Sequence, residues 1–233
     1  MIGCIVLLVL GAICLTLFII EKVRKTSVKS TMIKATTSFL FITLAAYSVY
    51  RNGNPPFGFF TICGLAMGLL GDIWLGLKHV YKEHTRTYTF AGFTCFAVGH
   101  MFYIYGMMRH LAYPNVWYAY LIPLAFGLLC GGAVLLLEKP LKYNYKEYKI
   151  ISFVYGVLLF GMVATAGYLA IANKMQVASY NMLFIGGILF ALSDLILCGT
   201  YFGVGKDKPF DLISNSITYY VAQYLIAFSI FFL

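Results

Sequence analysis

The chain has 233 residues, 61% of them hydrophobic and 11% charged, with a mean hydropathy of +0.85; such a composition excludes a soluble globular domain and points to a polytopic membrane protein. The net charge of +9 does not argue for nucleic acid, because every basic residue except Arg51, Arg109 and Lys174 falls in alternate connections between apolar stretches. This positive-inside pattern puts those connections in the cytoplasm and both termini outside, with the excess charge near anionic headgroups.

Eight apolar stretches approach the roughly 20 residues a helix needs to cross a bilayer: 2–20, 34–50, 57–77, 87–108, 116–137, 148–171, 180–203 and 212–232. The first, "MIGCIVLLVLGAICLTLFII", has no basic leader and is followed by "EKVRK", so it reads as an uncleaved helix. A lipobox in "LGAIC" is disfavoured by the bulky Ile13 before Cys14. The connection Glu21 to Ile33 is the longest polar one, too short for a separate domain. Lys34 then enters the second span, the shortest, which a seven-span arrangement would make re-entrant. The third span, "GLLGDIWLGL" at its centre, carries Asp72, and the fourth carries His100 and Tyr103. Tyr155 lies in the sixth span, Ser193 and Asp194 in the seventh, and Asn215, Tyr219, Tyr220 and Gln223 form a polar stripe along the eighth. Because a bilayer satisfies no backbone hydrogen bonds, the expected fold is all-α, a helix bundle over 1–233 as one transmembrane domain. The six cysteines all fall inside spans with no C-x-x-C pair, and read as small packing residues.

Of the eight acidic residues, Glu21, Glu83, Glu138, Glu147, Asp207 and Asp211 lie in cytoplasmic connections or at helix ends. Asp72 and Asp194 do not. A charge at mid-bilayer costs about 3 kcal/mol on insertion scales, so such residues face a bundle interior and mark a site. Their surroundings match: Gly64 falls on Gly186, Leu70 on Leu192, Asp72 on Asp194 and Leu75 on Leu197. His100 follows Asp72 by 28 residues and Gln223 follows Asp194 by 29. The third and fourth spans thus look like a parallel repeat of the seventh and eighth, giving a 4+4 pseudo-twofold bundle. Counting about 1.5 Å per residue, the two acids, His100 and Gln223 fit one pocket between mid-membrane and the inner leaflet. Gly71 and Ser193, small residues beside the acids, leave room for a neighbouring helix or substrate.

Two carboxylates removed from water, one holding a proton and one ionised, supply an acid and a base. That pair suits acid-initiated hydrolysis of an ether-like bond through a cationic intermediate, and suits proton-coupled transport or lipid binding equally well. Metal-assisted hydrolysis would want about three protein ligands in the spans, and these offer one His and two Asp. No G-x-S-x-G elbow and no glycine-rich phosphate loop is present.

The segments "GDIWLGL" (71–77), "FAVGHMFYI" (96–104), "FIGGILFALSDLILCGTYF" (184–202) and "TYYVAQYLIAF" (218–228), in that order, resemble the YhhN family of lysoplasmalogenases over essentially the whole chain. Lys34 is similar to a lysine the family sets before a proline, with Ala35 in the proline's place here, and Tyr155 stands where the family often has a tyrosine. The resemblance implies hydrolysis of the vinyl ether bond of a lysoplasmalogen, a lysophospholipid, to a fatty aldehyde and glycerophosphoethanolamine or glycerophosphocholine, with no metal or organic cofactor. On that reading one of Asp72 and Asp194 protonates the vinyl carbon and the other activates water. Ser193, His100, Tyr103, Tyr155, Tyr219, Tyr220 and Gln223 bind substrate or position water, and Lys34 meets the phosphate. The protein would be a multi-pass enzyme of a bacterial plasma membrane or an endomembrane.

Overall fold

The computed structural model describes residues 1–24, 26–51, 54–203 and 208–233. Lys25, Lys206 and Asp207 of the basic connections lie outside the described residues. Among those described there are eight long helices and no strand: α1 (Ile2–Arg24), α2 (Val28–Arg51), α3 (Pro55–Val80), α4 (Thr85–His110), α5 (Trp117–Leu136), α6 (Lys149–Ala172), α7 (Ala178–Phe202) and α8 (Pro209–Ser229). Seven of them, α1 through α7, are long and apolar enough to cross a membrane. The last matches the expected span 212–232 in place but, with its polar stripe, is not among these seven.

The main departure from expectation is α2. It begins at Val28 rather than near Lys34, so the connection expected over Glu21 to Ile33 is mostly helix. A reciprocal cap starts it: the Ser27 N–H donates to Ser30 Oγ at 2.9 Å and the Ser30 N–H to Ser27 Oγ at 3.3 Å. Ser30 and Thr31 are buried, and Gly76 of α3 has no side chain because Thr31 occupies the space its Cβ would take, 2.6 Å away. Polar residues that read as loop are therefore an inward helix face. Lys34 consequently sits well inside α2.

Other ends follow ordinary capping chemistry. Asn54 caps α3 through its side chain, accepting from the Phe57 N–H at 3.2 Å, with Pro55 and Pro56 in the first turn where no N–H is needed. In α5, Pro123 removes the helical donor for the Ala119 carbonyl, and the Tyr113 hydroxyl donates to that oxygen instead at 2.6 Å. Pro123, Gly127 and Gly131 form the buried stripe by which α5 meets α6; a Cβ on Gly127 would lie 2.5 Å from the Val157 carbonyl. Close backbone approach of this kind is how helices associate where lipid removes the hydrophobic driving force.

Consecutive helices within residues 2–110 and within 117–229 pack against each other, and the two groups meet where α4 packs on α6 and where α8 packs on α2, α1 and α3. The centre is built from Phe41 and Leu44, Leu65, Phe96, Leu159 and Met162, Phe190, Ala222 and Ile226. By contrast α1 buries only Cys4, Gly11 and Phe18 and leaves Ile5, Val9, Ile13, Leu17 and others exposed, as α5 exposes Leu121, Leu124 and Leu129. In water this surface would be an aggregation liability; against acyl chains it is a matched solvent.

The connection between α5 and α6 carries a polar latch. Glu138 accepts from Lys149 Nζ at 2.8 Å and from the Tyr145 N–H at 3.1 Å. Lys149 first, then the amide, holds the Glu138 carboxyl below the usual carboxylate range. The latch fixes Tyr145, whose buried ring reaches into the bundle's central cavity.

Candidate functional site

The helices bring both aspartates to one cavity of about 100 Å³, room for several water molecules. Its walls come from the C-terminal ends of α1, α3, α5 and α7 and the N-terminal halves of α2, α4, α6 and α8, the end of the bundle that carries the basic connections. Phe93, Phe96 and Leu159 line its apolar side, and Leu195, half exposed on the outer surface, lines it too.

Asp72 is 1% exposed and fully engaged. Lys34 Nζ lies 2.7 Å from its Oδ1, while Ser38 Oγ at 2.6 Å and the Tyr219 hydroxyl at 2.8 Å donate to Oδ2. Charge-assisted bonds of this length are the strong kind, and a buried carboxylate needs them. The network runs on: Gln223 Nε2 donates to the Tyr219 hydroxyl at 3.2 Å, and the Tyr103 hydroxyl donates to Gln223 Oε1 at 3.1 Å. Tyr220 donates to the Lys34 carbonyl at 3.1 Å and touches Ser38 at 3.1 Å, so it orients α2 and not the carboxylate itself. Lys34 Nζ also lies 5.8 Å from the centre of the Tyr219 ring.

Asp194 has different company. The Tyr155 hydroxyl donates to its Oδ2. Tyr155 in turn contacts His100 Nε2 at 3.3 Å, and the buried Nδ1 of His100 has no hydrogen-bond partner. Ser193 spends its hydroxyl on the Phe190 carbonyl at 2.8 Å and stands 3.5 Å from Asp194 Oδ1, at the limit of a hydrogen bond. Asn215 Nδ2 donates to the Ser193 carbonyl at 2.7 Å, tying α8 to the turn that carries the acid. No cation lies within ion-pair distance of Asp194 among the described residues.

All ten residues singled out in the sequence thus fall into two networks, one per aspartate. Lys34 sits on Asp72, where the resemblance suggested a phosphate. Gly71 makes room for Phe96, whose ring a Cβ would meet at 2.6 Å, and Gly68 makes room for Gln223, whose Nε2 would be 2.8 Å from one; the space beside these two glycines is filled by side chains. Ser38 was missed, although its place four residues after Lys34 on the same helix face is a legible signal. Lys22, at the end of α1, lines the cavity and was also missed.

No curated protein and no solved structure matches the chain. The YhhN family model matches residues 29–230, from the first turn of α2 through α8, and includes every residue of both aspartate networks; the chain belongs to the YhhN family.

Proposed function

We propose that the protein is a membrane-embedded hydrolase that cleaves the vinyl ether bond of a lysoplasmalogen, releasing a fatty aldehyde and a glycerophosphodiester. The observation that carries this reading is one cavity with two carboxylates of unlike surroundings: Asp72 against a lysine, Asp194 against neutral hydroxyls. In this scheme Asp194 holds the proton, since among the described residues no cation lies within ion-pair distance of it as Lys34 does of Asp72. It delivers that proton to the vinyl carbon distal to the ether oxygen. The resulting oxocarbenium ion forms beside Asp72, whose negative charge is held by Lys34, Ser38 and Tyr219 and stabilises the cation. Water then adds to the carbon bearing oxygen and gives its proton to the Asp194 carboxylate, and the hemiacetal collapses to aldehyde and alcohol. The acid is restored with no net proton change. Tyr155 and His100 orient Asp194, while Tyr103, Gln223 and Tyr219 hold Asp72 in place.

The substrate is an amphiphile, and the cavity suits one. Its basic end accepts a headgroup, its phenylalanine and leucine walls accept a chain, and Leu195 offers a lateral entry from the bilayer. Eight membrane-crossing helices complete the picture. The polar stripe of α8 is shielded in this arrangement by α1, α2, α3 and α7. A pseudo-twofold relation between α1–α4 and α5–α8 is supported by their neighbours: a shift of four helices exchanges the α4–α6 and α8–α2 contacts. It is supported too by Lys34 and Tyr155, which precede their aspartates by 38 and 39 residues. The test is a coupled aldehyde assay on the purified protein with alkenyl lysophospholipid. Aldehyde released in step with the glycerophosphodiester is expected; proton flux in proteoliposomes without aldehyde would replace the hydrolase with a transporter.

A further inference from the structure

We infer that Lys22 anchors the phosphate group of a single-chain phospholipid at the mouth of the cavity, a role that rests on the hydrolase reading above and adds a headgroup site to it. Lys22 lies in the last turn of α1 and lines the same cavity as Lys34, Asp72 and Asp194. Its ammonium has no ion pair among the described residues. It lies 5.4 Å from the centre of the Phe18 ring. The neighbouring carboxylate, Glu21, is taken by Lys29 at 3.2 Å, and Lys34 is taken by Asp72 at 2.7 Å.

A charge count makes the requirement explicit. With Asp194 carrying its proton, the cavity wall holds the Lys22 and Lys34 ammoniums against the single Asp72 carboxylate. Of the two, the Lys34 group is matched by Asp72, and among the described residues the Lys22 group has no carboxylate within ion-pair distance. A partly dehydrated ammonium without a counter-charge is costly, and an anion brought by the ligand relieves that cost. Thr26 and His79 also line the cavity and add polar groups beside it. In a 1-alkenyl lysophospholipid the glycerol backbone separates phosphate from vinyl ether, so a phosphate held at the mouth directs the ether inward, toward Asp72 and Asp194. Alkyl-chain lipids without a phosphate lack this registration.

The experiment uses the full chain in detergent. Binding is measured for a saturated 1-O-alkyl lysophospholipid, which cannot be hydrolysed by this route, for the 1-O-alkylglycerol of the same chain length, and for inorganic phosphate. Lys22→Gln is expected to weaken phospholipid binding by about tenfold, the loss of one charge-assisted contact, with alkylglycerol binding unchanged and Lys22→Arg close to wild type. With the alkenyl substrate the same variant raises KM and spares kcat. Unchanged phospholipid affinity in Lys22→Gln overturns the assignment, as does an equal loss for both lipids. Inorganic phosphate binding as tightly as the lipid overturns it as well, in favour of a free-anion site. The two readings fail separately. A wild-type protein that releases no aldehyde yet binds the phospholipid through Lys22 loses the hydrolase and keeps the anchor, whereas aldehyde release with Lys22 indifferent does the reverse.

Discussion

Asp72 and Asp194 occupy matching sequence frames on α3 and α7 and line one cavity, yet their neighbourhoods diverge in kind. Asp72 is a saturated anion: a lysine on one oxygen, a serine and a tyrosine on the other. Asp194 keeps one close partner, a tyrosine, and is partly exposed to the cavity. A duplicated frame can place two identical groups symmetrically, but the residue each receives from the preceding helix, Lys34 or Tyr155, decides what the group can do. On the proposed hydrolase reading, the carboxylate ringed by donors serves as the electrostatic partner and the other as the proton donor.

That contrast is most directly broken by exchanging charge for amide at each acid. Asp194→Asn is expected to lower kcat for aldehyde release by about 10³-fold, the scale of a lost general acid, with little effect on the thermal midpoint. Asp72→Asn is expected to lower kcat as well, and to destabilise the fold through the unpaired Lys34; equal midpoints for the two variants would erase the distinction. A second effect sharpens it. Lys34→Met leaves the Asp72 carboxylate buried without its cation, at a cost of about 3–5 kcal/mol in stability, and the double variant Lys34→Met/Asp72→Asn recovers most of that loss. Detergent-phase denaturation curves of the three proteins measure it.

The smallest effect concerns the latch that holds Tyr145 in the cavity wall. Because the folded Glu138 carboxyl is held below its ordinary value, its contribution is present above about pH 4.3, the unfolded pKa, and is lost as pH falls through the lower folded value. Glu138→Gln should therefore lower the thermal midpoint slightly at neutral pH and match wild type in strong acid. A midpoint difference that persists at low pH would remove the ionic origin.

Much of the architecture was legible because apolar runs and buried charges carry strong signals in a membrane chain. Their place inside apolar spans marks both Asp72 and Asp194, and the polar stripe marks Tyr219, Tyr220 and Gln223. What was not legible depended on faces and not on composition. Lys29, Ser30 and Thr31 read as a loop because their polarity is high, yet the Ser27–Ser30 cap and the contact with Gly76 make them the start of α2. The family resemblance suggests a phosphate for Lys34, but with α2 starting at Val28 the lysine lies inside the helix and reaches a carboxylate. Lys22 looked like an ordinary basic flank of α1, and its facing the cavity is a matter of helix rotation that no residue type announces.

The polar stripe of α8 bears on how the protein is made. Insertion machinery that reads helices singly, by hydropathy, has a weak signal here: Asn215, Tyr219, Tyr220 and Gln223 find their partners only once α7, α3, α2 and α4 are present to receive them. The final helix therefore belongs to assembly more than to insertion, partitioning into a receptacle that its predecessors have already formed. Until it docks, Asp72 lacks the Tyr219 hydroxyl and the turn before Asp194 lacks its tie to Asn215. Docking of α8 and completion of the two aspartate networks are thus one event, and a chain truncated before Pro209 carries both acids without Tyr219, Gln223 and Asn215 around them.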